Sequence, residues 1–381
     1  MKTYPANTPV WEDLSWPGLP ALEGDLETDV CVVGLGGSGL SALRELLELG
    51  ERAVGIDAAT VAGGAAGRNG GFLLAGLARF YHESVAQLGR ERARAVYQAT
   101  LEQLERMGRE TPEAIRRVGS LRIAEGEEEY RDCLEHLRAL QADAFPAEPY
   151  DGPEGRGILI PSDGAFNPLL RCRLLAQGLL REGVALFERT PALEIGSGMV
   201  RTPGGSIRCK KVIVAVDGGL ERLLPELAGR VRTARLQMLA TAPAPEVSFP
   251  RPVYYRWGYE YWQQLPDGRI ALGGFRDQGG EAEWTYDAEP GAEVQGRLER
   301  FLRDRLGVRA EITHRWAASV AYTGTGWPIL EEVRPDVWAI GAYSGTGNVV
   351  GALLGRQAAR LAAGYGRGRA EQSWMEWGML G

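Results

Sequence analysis

The sequence predicts an α/β fold, α+β over the whole chain, from three patterns of strands, helices and glycines. A strand, a glycine-rich turn, a helix and a second strand follow one another over residues 29–57. A similar strand, glycine loop and helix recur over residues 337–363. Between them, residues 253–275 alternate around a Pro-Asp-Gly turn, which is typical of a β-hairpin. At roughly 150 residues per domain, a chain of 381 residues is expected to form two domains.

The first of these units predicts a dinucleotide-binding βαβ motif. Gly34 makes the tight turn, Gly36 lets the backbone approach a pyrophosphate, and Gly39 lets the helix pack close to the sheet. Asp57 ends the second strand, where a carboxylate accepts hydrogen bonds from a ribose diol and repels a 2′-phosphate. Glycine turns also occur as plain helix caps, but here the flanking strands, helix and acidic residue are all in register. This unit therefore predicts FAD or NAD rather than NADP.

Composition excludes several classes of protein. A net charge of -7 and a pI near 5.4 argue against a nucleic-acid-binding surface, which needs a basic face. The N-terminus lacks the apolar core of a signal peptide, and no long uncharged apolar run follows, so we expect a cytoplasmic protein without a membrane span. The four cysteines form no CxxC pair and the three histidines are scattered, so we expect neither disulfides nor a metal site.

Two more glycine-rich segments and one strand end extend the predicted cofactor site. Residues 63–71 carry five glycines around Arg68 and Asn69, which favours a second phosphate-facing loop over a flexible linker. The strand over residues 211–216 ends at Asp217 and two glycines, and residues 343–348 form the loop before the last helix. Because these loops are far apart in the sequence, they imply a cofactor longer than a single motif can hold.

The hairpin at residues 253–275 is the first candidate for a substrate pocket. Read as one continuous strand, it places Tyr255, Trp257, Tyr259 and Tyr261 on one face. The opposite face then carries Arg256, Glu260 and Trp262. Such an aromatic strand suits a protein core and equally suits an amine pocket, in which aromatic rings and a carboxylate attract a cation.

The chain resembles the FAD-dependent amine and amino-acid oxidoreductases typified by D-amino-acid oxidase, glycine oxidase and sarcosine oxidase, and most of all the γ-glutamylputrescine-oxidase-like branch. The resemblance covers nearly the whole chain, in the family's order. It rests on LEGD (22–25), VVGLGGSG (32–39), GRNGG (67–71), VIVAVDGG (212–219), RLQMLAT (235–241), LPDGRIALGG (265–274) and YSGTGNVVGALLG (343–355).

The resemblance implies a Rossmann-type FAD-binding domain plus a substrate domain with a large, mostly antiparallel sheet. Residues 1–85, 150–225 and 310–381 would form the discontinuous FAD-binding domain, and residues 86–149 and 226–309 the substrate-binding domain. The cofactor-binding residues that it implies are Gly34, Gly36, Gly37, Ser38, Gly39, Asp57, Ala58, Arg68, Asn69, Gly70, Gly71, Ala192, Val216, Asp217, Gly218, Gly345, Thr346, Gly347, Asn348 and Val349.

Two departures from the family pattern bear on the reaction. Thr323 is followed by Gly324, where many members carry an acidic residue, and no lysine lies in the substrate domain, although some relatives use one to speed the reaction with oxygen. Because of both departures, the enzyme could be an oxidase or, as the alternative, a dehydrogenase that passes its electrons to another acceptor. No cysteine follows Cys209, whereas sarcosine oxidases attach their flavin to one near the last glycine loop, so we expect non-covalent FAD.

The resemblance implies oxidation of the C–N bond of a small amine or amino acid, by hydride transfer to flavin N5. The imine would then hydrolyse, and O2 or another acceptor would reoxidise the flavin, O2 giving H2O2. The candidate pocket residues are Tyr255, Trp257, Tyr259, Glu260, Arg276 and Gln237, with Arg276 a possible clamp for a substrate carboxylate. The alternatives are a flavin-binding protein without amine activity and an NAD-dependent dehydrogenase. The apolar tail at residues 373–380 is expected to fold back on its own domain, with docking on a partner as the alternative.

Overall fold

The computed structural model describes residues 5–12 and 16–365. The tail at residues 373–380 lies outside this part of the chain. The helices of the described part are α1 (Gly37–Glu48), α2 (Tyr81–Leu88), α3 (Arg90–Glu110), α4 (Glu127–Ala142), α5 (Pro168–Arg181), α6 (Leu220–Leu223), α7 (Ala292–Arg300) and α8 (Gly347–Ala362). Within this part, no helix combines the length and the apolar character that crossing a membrane requires.

The strands of the described part form four sheets. In chain order they are β1 (Leu26–Glu27), β2 (Val30–Val33), β3 (Ala53–Ile56), β4 (Phe72–Leu73), β5 (Ile115–Arg116), β6 (Ser120–Ile123), β7 (Glu148–Gly152), β8 (Gly155–Ile160), β9 (Gly164–Phe166), β10 (Ala185–Phe187), β11 (Glu194–Gly196), β12 (Met199–Thr202), β13 (Gly205–Arg208), β14 (Lys211–Val214), β15 (Val231–Pro243), β16 (Val253–Tyr255), β17 (Glu260–Gln264), β18 (Arg269–Gly274), β19 (Ile312–Thr323), β20 (Ile329–Arg334) and β21 (Val337–Gly341). The small sheets are β1-β13-β12-β11 and β4-β9-β5.

The first large sheet has the order β10-β3-β2-β14-β21-β20 and is parallel except for its last pair. Its strands are apolar on both faces because both faces are covered. Val30 and Val32 face the core beneath α1, α5 and α8, whereas Cys31 and Val33 pack toward the small four-stranded sheet. Since the strands are parallel, their carboxyl ends meet at one edge, where ligands bind in such folds.

The second large sheet has the order β19-β15-β18-β17-β16-β6-β8-β7 and is antiparallel except for the β16–β6 pair. On one face, Val294 and Leu298 of α7 and the following Leu302 pack on Leu272 and Trp262. These apolar positions recur every four residues, so they form one side of the helix. The opposite face of the sheet looks toward the parallel sheet.

These two sheets confirm the predicted fold class, an α/β cofactor domain joined to a large, mostly antiparallel sheet. The domain boundaries stay a prediction. The large sheet also includes β8 and β19, which lie in ranges that we assigned to the cofactor domain.

Candidate active site

A cavity of about 830 Å³ separates the carboxyl edge of the parallel sheet from the large sheet. The loops after β2, β3, β14 and β21 line its lower side, and β15, β17 and β19 line its upper side. Every residue predicted to bind the cofactor lines this cavity except Gly39 and Gly71. The three glycine-rich loops, at residues 34–39, 67–71 and 345–349, therefore converge on one site together with the shorter segments between them.

The first glycine loop shows why side chains are excluded there. Gly34 has φ +106°, and a Cβ on it would lie 2.6 Å from the Ala215 carbonyl oxygen. A Cβ on Gly39 would lie only 1.9 Å from the carbonyl oxygen of Gly34, so Gly39 permits the helix to pack rather than lining the cavity. Gly36 and Gly37 start α1 and present bare backbone to the cavity. This arrangement suits a pyrophosphate at a helix N-terminus.

Asp57 follows β3 and lines the same cavity. Its carboxylate accepts the backbone N–H groups of Leu35 and Ala59, both at 2.8 Å. Burial raises the pKa of this carboxyl, and the two N–H donors act in the opposite direction. A carboxylate fixed in this way retains lone pairs for the hydroxyls of a ribose.

The second glycine loop is tied to the start of α8. The Asn69 side-chain oxygen accepts the Gly71 N–H at 2.8 Å and the Asn348 amide at 3.1 Å. Asn348 also donates to the Phe72 carbonyl at 2.9 Å. These bonds join the loop at residues 67–71 to the loop at residues 345–349 along the cavity.

The N-terminal arm closes one side of this cofactor loop. The Arg68 guanidinium donates to the Asn7 backbone carbonyl at 2.6 Å and to the Ala317 carbonyl at 2.8 Å. The Asn7 side-chain oxygen accepts the Ala317 N–H at 3.0 Å, and the Trp11 indole donates to the Asn69 carbonyl at 2.9 Å. The arm thus links the glycine loop to the large sheet.

Helices α1 and α8 pack closely, and both direct their N-termini at the cavity. A Cβ on Gly355 would lie 2.1 Å from the Ser38 carbonyl oxygen, so α8 needs glycine at this crossing. The Ser38 and Tyr343 hydroxyls share a hydrogen bond of 2.7 Å. Two helix dipoles therefore favour negative charge at two points of one cavity.

Asp217 braces the end of β14. Its carboxylate accepts the Ala321 N–H at 3.2 Å and the Tyr343 N–H at 3.3 Å, which connects both large sheets. Burial raises the pKa of this carboxyl to about 6. Asp217 lines the cavity, but these backbone bonds give it a bracing role that the sequence did not indicate.

The upper side of the cavity contradicts the predicted aromatic strand. β16 ends at Tyr255, and Arg256, Trp257 and Gly258 all have positive φ angles, of 52°, 53° and 86°. The chain therefore turns and pairs with itself, with Tyr254 opposite Tyr261. The prediction of one strand across residues 255–261 was wrong, whereas the Pro-Asp-Gly hairpin at residues 266–268 is confirmed by the β17–β18 pair.

Because of this turn, Tyr254, Tyr261 and Tyr322 form an aromatic wall over the cavity. The Tyr254 ring stacks on Phe72 with centroids 4.8 Å apart, and Tyr261 meets the edge of Phe72 at 5.7 Å. Burial raises the pKa of the Tyr254 and Tyr322 phenols to about 12, so both are neutral. We call the space beneath these three rings the tyrosine chamber.

The chain matches the family model described as FAD dependent oxidoreductase over residues 29–361. It therefore belongs to this family. It is 28% identical to a probable oxidoreductase, OrdL, of Rhizobium meliloti, over 91% of this chain and 86% of the relative. It is also 28% identical to gamma-glutamylputrescine oxidoreductase of Escherichia coli, over 90% of this chain and 85% of the relative.

Solved structures share this flavoprotein's fold. Glycine oxidase from Geobacillus kaustophilus superposes with a TM-score of 0.73 at 20% identity, over 90% of this chain and 96% of the other. L-proline dehydrogenase from P. horikoshii superposes with a TM-score of 0.72 at 19% identity, over 90% of this chain and 94% of the other. The family identifies FAD as the cofactor, and the bare glycine loops, the two helix N-termini and Asp57 fit its pyrophosphate and ribose.

The predicted pocket residues of this FAD-dependent oxidoreductase divide into two groups. Trp257, Tyr259 and Arg276 line the cavity. Tyr255, Glu260 and Gln237 do not. Tyr255 packs in the core near Phe301, Glu260 is paired with Arg256 at 2.7 Å, and Gln237 donates to the Glu283 carboxylate at 2.8 Å.

Asp163 is a buried acid that holds the backbone of the cavity-lining residue Ala75, and its titration can be tested. Its carboxylate is fully buried and accepts the Ala75 N–H at 2.9 Å and the Ser120 hydroxyl at 2.6 Å. Burial raises its pKa from 3.8 to about 6. Since the pKa is higher in the folded state, the protonated carboxyl stabilises the fold below pH 3.8, and this stabilisation is lost as the pH rises through about 6.

We therefore expect the stability advantage of the native chain over Asp163→Asn to fall by about 2 kcal/mol between about pH 4.5 and about pH 7.5. Urea unfolding of both proteins across this range measures the difference. If the unfolding free energies of the two proteins changed in parallel with pH, Asp163 would not titrate in this pH range.

Proposed function

We propose that this flavoprotein oxidises the C–N bond of a small amine or amino acid held in the tyrosine chamber. The observation that carries the proposal is that the chamber opens directly onto the cofactor cavity and is walled by neutral phenols. Two relatives support this substrate class, since one is named a gamma-glutamylputrescine oxidoreductase and another a glycine oxidase.

The chamber favours the uncharged form of an amine. The described carboxylates that line the cavity, Asp57 and Asp217, already accept backbone N–H groups, and Glu260 is turned away. Arg122 and Arg276 also face the chamber, so a substrate ammonium meets like charge and burial together. Both effects lower the pKa of the bound amine and leave its lone pair free to assist departure of a hydride from the neighbouring carbon.

Bound FAD supplies the acceptor for that hydride at N5. The neutral amine loses two electrons and one proton as the hydride and becomes a protonated imine, which water hydrolyses to a carbonyl compound and a protonated amine or ammonium. Trp257 and Tyr259 lie at the mouth, about two-fifths exposed, where they restrict access of water. Arg276 is a candidate for holding a substrate carboxylate, because it lies over the Tyr322 ring at 4.7 Å from the centroid.

The proposal includes non-covalent FAD, a cytoplasmic location and reoxidation by O2 that produces H2O2. Burial raises the pKa of the Cys172 thiol, which lines the cavity, to about 11, so the thiolate needed for a covalent link is disfavoured. A dehydrogenase using another acceptor is the alternative.

An anaerobic screen of amines and amino acids against the purified yellow protein tests the proposal. We expect at least one class to bleach the flavin, and air to restore the colour with formation of H2O2. Bleaching followed by slow recovery in air would favour the dehydrogenase. A flavin that no amine or amino acid bleaches would contradict amine oxidation.

A further inference from the structure

The tyrosine chamber ends at an arginine that no comparison or sequence motif indicates. Arg122 of β6 lies over the Tyr254 ring at 5.6 Å and over the Phe80 ring at 5.5 Å, measured to the centroids. These two rings hold the guanidinium at the chamber wall. In the described part of the chain, no residue accepts a hydrogen bond from the Arg122 guanidinium, and its buried Nε lacks a partner.

A small second cavity, of about 10 Å³, lies behind Arg122. Tyr97 and His136 also line it, and the Tyr97 hydroxyl and His136 Nε2 are buried without a partner. His136 Nδ1 accepts the Tyr81 N–H at 2.8 Å, and burial lowers the pKa of this ring, so Nε2 carries the proton. Three buried polar groups, Arg122 Nε, the Tyr97 hydroxyl and His136 Nε2, thus belong to residues that line one small cavity behind the chamber.

The nearby acid is not a direct partner of Arg122. Asp163 is close enough for the two charges to interact, but its oxygens accept from Ser120 and Ala75, and no hydrogen bond or ion pair joins it to Arg122 in the described part of the chain. The other arginines that line the lower cavity are engaged, since Arg68 donates to Asn7 and Ala317, and Arg171 pairs with Glu110 at 3.2 Å. Within the described residues, Arg122 therefore faces the chamber without a carboxylate hydrogen-bonded to its guanidinium, which leaves its N–H groups available to a ligand.

Arg122 lies at the end of the chamber away from the glycine loops. Tyr261 sits directly against the cofactor loop, because a Cβ on Gly70 would lie 3.0 Å from its ring. Tyr254 is one strand further along the sheet and Arg122 two strands further. Neighbouring strands are about 4.8 Å apart, so Arg122 lies roughly 10 Å from Tyr261 across the sheet.

We propose that Arg122 binds a carboxylate carried by the substrate, so that the preferred substrate is an amine with an acidic group remote from the C–N bond that is oxidised. This inference rests on the proposed amine oxidation and adds the substrate class. A planar guanidinium binds a carboxylate through two parallel hydrogen bonds, and partial burial strengthens them.

The test compares matched amines with and without the far carboxylate. The pairs are 6-aminohexanoate with hexylamine and 4-aminobutanoate with butylamine, each followed by anaerobic bleaching of the flavin at low substrate concentration. We expect the acids to react faster in the native holoenzyme. Arg122→Gln should slow the acids by about 10- to 100-fold, through KM, and the alkylamines by less than about 3-fold.

Two further variants separate recognition from a structural role. Arg122→Lys keeps the charge and should retain part of the preference for acids. Arg305→Gln is the matched control, because Arg305 lies over the Tyr255 ring at 5.3 Å but does not line the cavity, so the preference should persist. Equal slowing of acids and alkylamines in Arg122→Gln would overturn the proposal.

A binding measurement tests whether Arg122 binds a carboxylate, independently of turnover. Pentanoate, which has no amine to oxidise, should perturb the flavin spectrum of the native holoenzyme more strongly than pentanol, and Arg122→Gln should lose that difference. Unchanged pentanoate binding in Arg122→Gln would refute the role of Arg122 even if amines bleach the flavin. Absence of bleaching by any amine, with pentanoate binding intact, would instead contradict the proposed reaction.

Discussion

Gly39→Ala is expected to yield protein without bound FAD. The added Cβ would lie 1.9 Å from the Gly34 carbonyl oxygen and 3.3 Å from Val32 Cγ1. The first contact is with a backbone atom, which cannot rotate away as a side chain can. The clash is therefore removed only if α1 moves away from the turn that follows β2. Overpacking of this kind costs about 1–3 kcal/mol or more. The same movement displaces Gly36, Gly37 and Ser38, which line the cofactor cavity.

We expect the purified variant to lack visible flavin absorbance and to bind added FAD at least about 100-fold more weakly, which corresponds to roughly 3 kcal/mol. Gly178→Ala is the matched control, because Gly178 also lies inside a helix, α5, and no heavy atom lies within 4 Å of the added Cβ. That variant should keep its flavin and gain up to about 1 kcal/mol in stability. Native FAD affinity in Gly39→Ala would show that the close approach is dispensable.

The cofactor side of the cavity was predictable because its constraints are local in the sequence. A tight turn, a bare helix N-terminus and an acidic strand end each need particular residues at fixed spacing. The sequence therefore predicts the loops at residues 34–39, 67–71 and 345–349, and all three reach one cavity. Their convergence follows from the parallel sheet, whose strands end at a common edge.

The substrate side was not predictable in the same way. Alternation of side chains along residues 253–262 suggested a single strand, but Arg256 and Trp257 adopt the left-handed conformation that side chains rarely occupy. Long-range contacts stabilise this turn: Arg256 pairs with Asp277 at 2.8 Å, and the Trp257 indole donates to Asp132 at 2.8 Å. A local pattern carries no signal for partners so distant in the sequence.

The same reason explains why Tyr322 and Arg122 were missed. Each is a single residue on a strand whose neighbours in the sheet are far away in the sequence. Tyr254 was overlooked because the assumed continuous strand placed Tyr255 on the face of the pocket. The turn at residues 256–258 reverses the alternation before it, so that Tyr254 shares the cavity face with Tyr261, as predicted for Tyr261, whereas Tyr255 packs in the core.

The second large effect concerns a buried ion cluster that joins α1 to α8. Glu45 of α1 is almost fully buried, and its carboxylate pairs with Arg356 at 2.9 Å and with Arg360 at 2.7 Å, both on α8. Further pairs extend the cluster to α3 and α5. Its members are Glu45, Glu48, Glu110, Glu182, Arg44, Arg106, Arg171, Arg356 and Arg360.

This cluster holds five arginines and four glutamates, so loss of a buried acid is worse than loss of a buried base. Glu45 is the most buried of these acids, and Glu45→Gln leaves five cations with three carboxylates, so we expect the free energy of unfolding to fall by about 3–5 kcal/mol. Arg356→Met leaves four charges of each sign and should cost less. Glu48→Gln, one turn along α1 with a side chain 38% exposed, is the control and should cost no more than about 1 kcal/mol.

Urea unfolding of the holoprotein measures these differences, and flavin fluorescence reports when FAD leaves. Because α1 and α8 direct both of their N-termini at the cofactor cavity, separation of the two helices should release FAD. In Glu45→Gln we therefore expect flavin release at lower urea than in Glu48→Gln, together with the loss of helical structure. Release of FAD well before unfolding in both variants would contradict this coupling, since the cluster would then stabilise the helices without holding the cofactor loops.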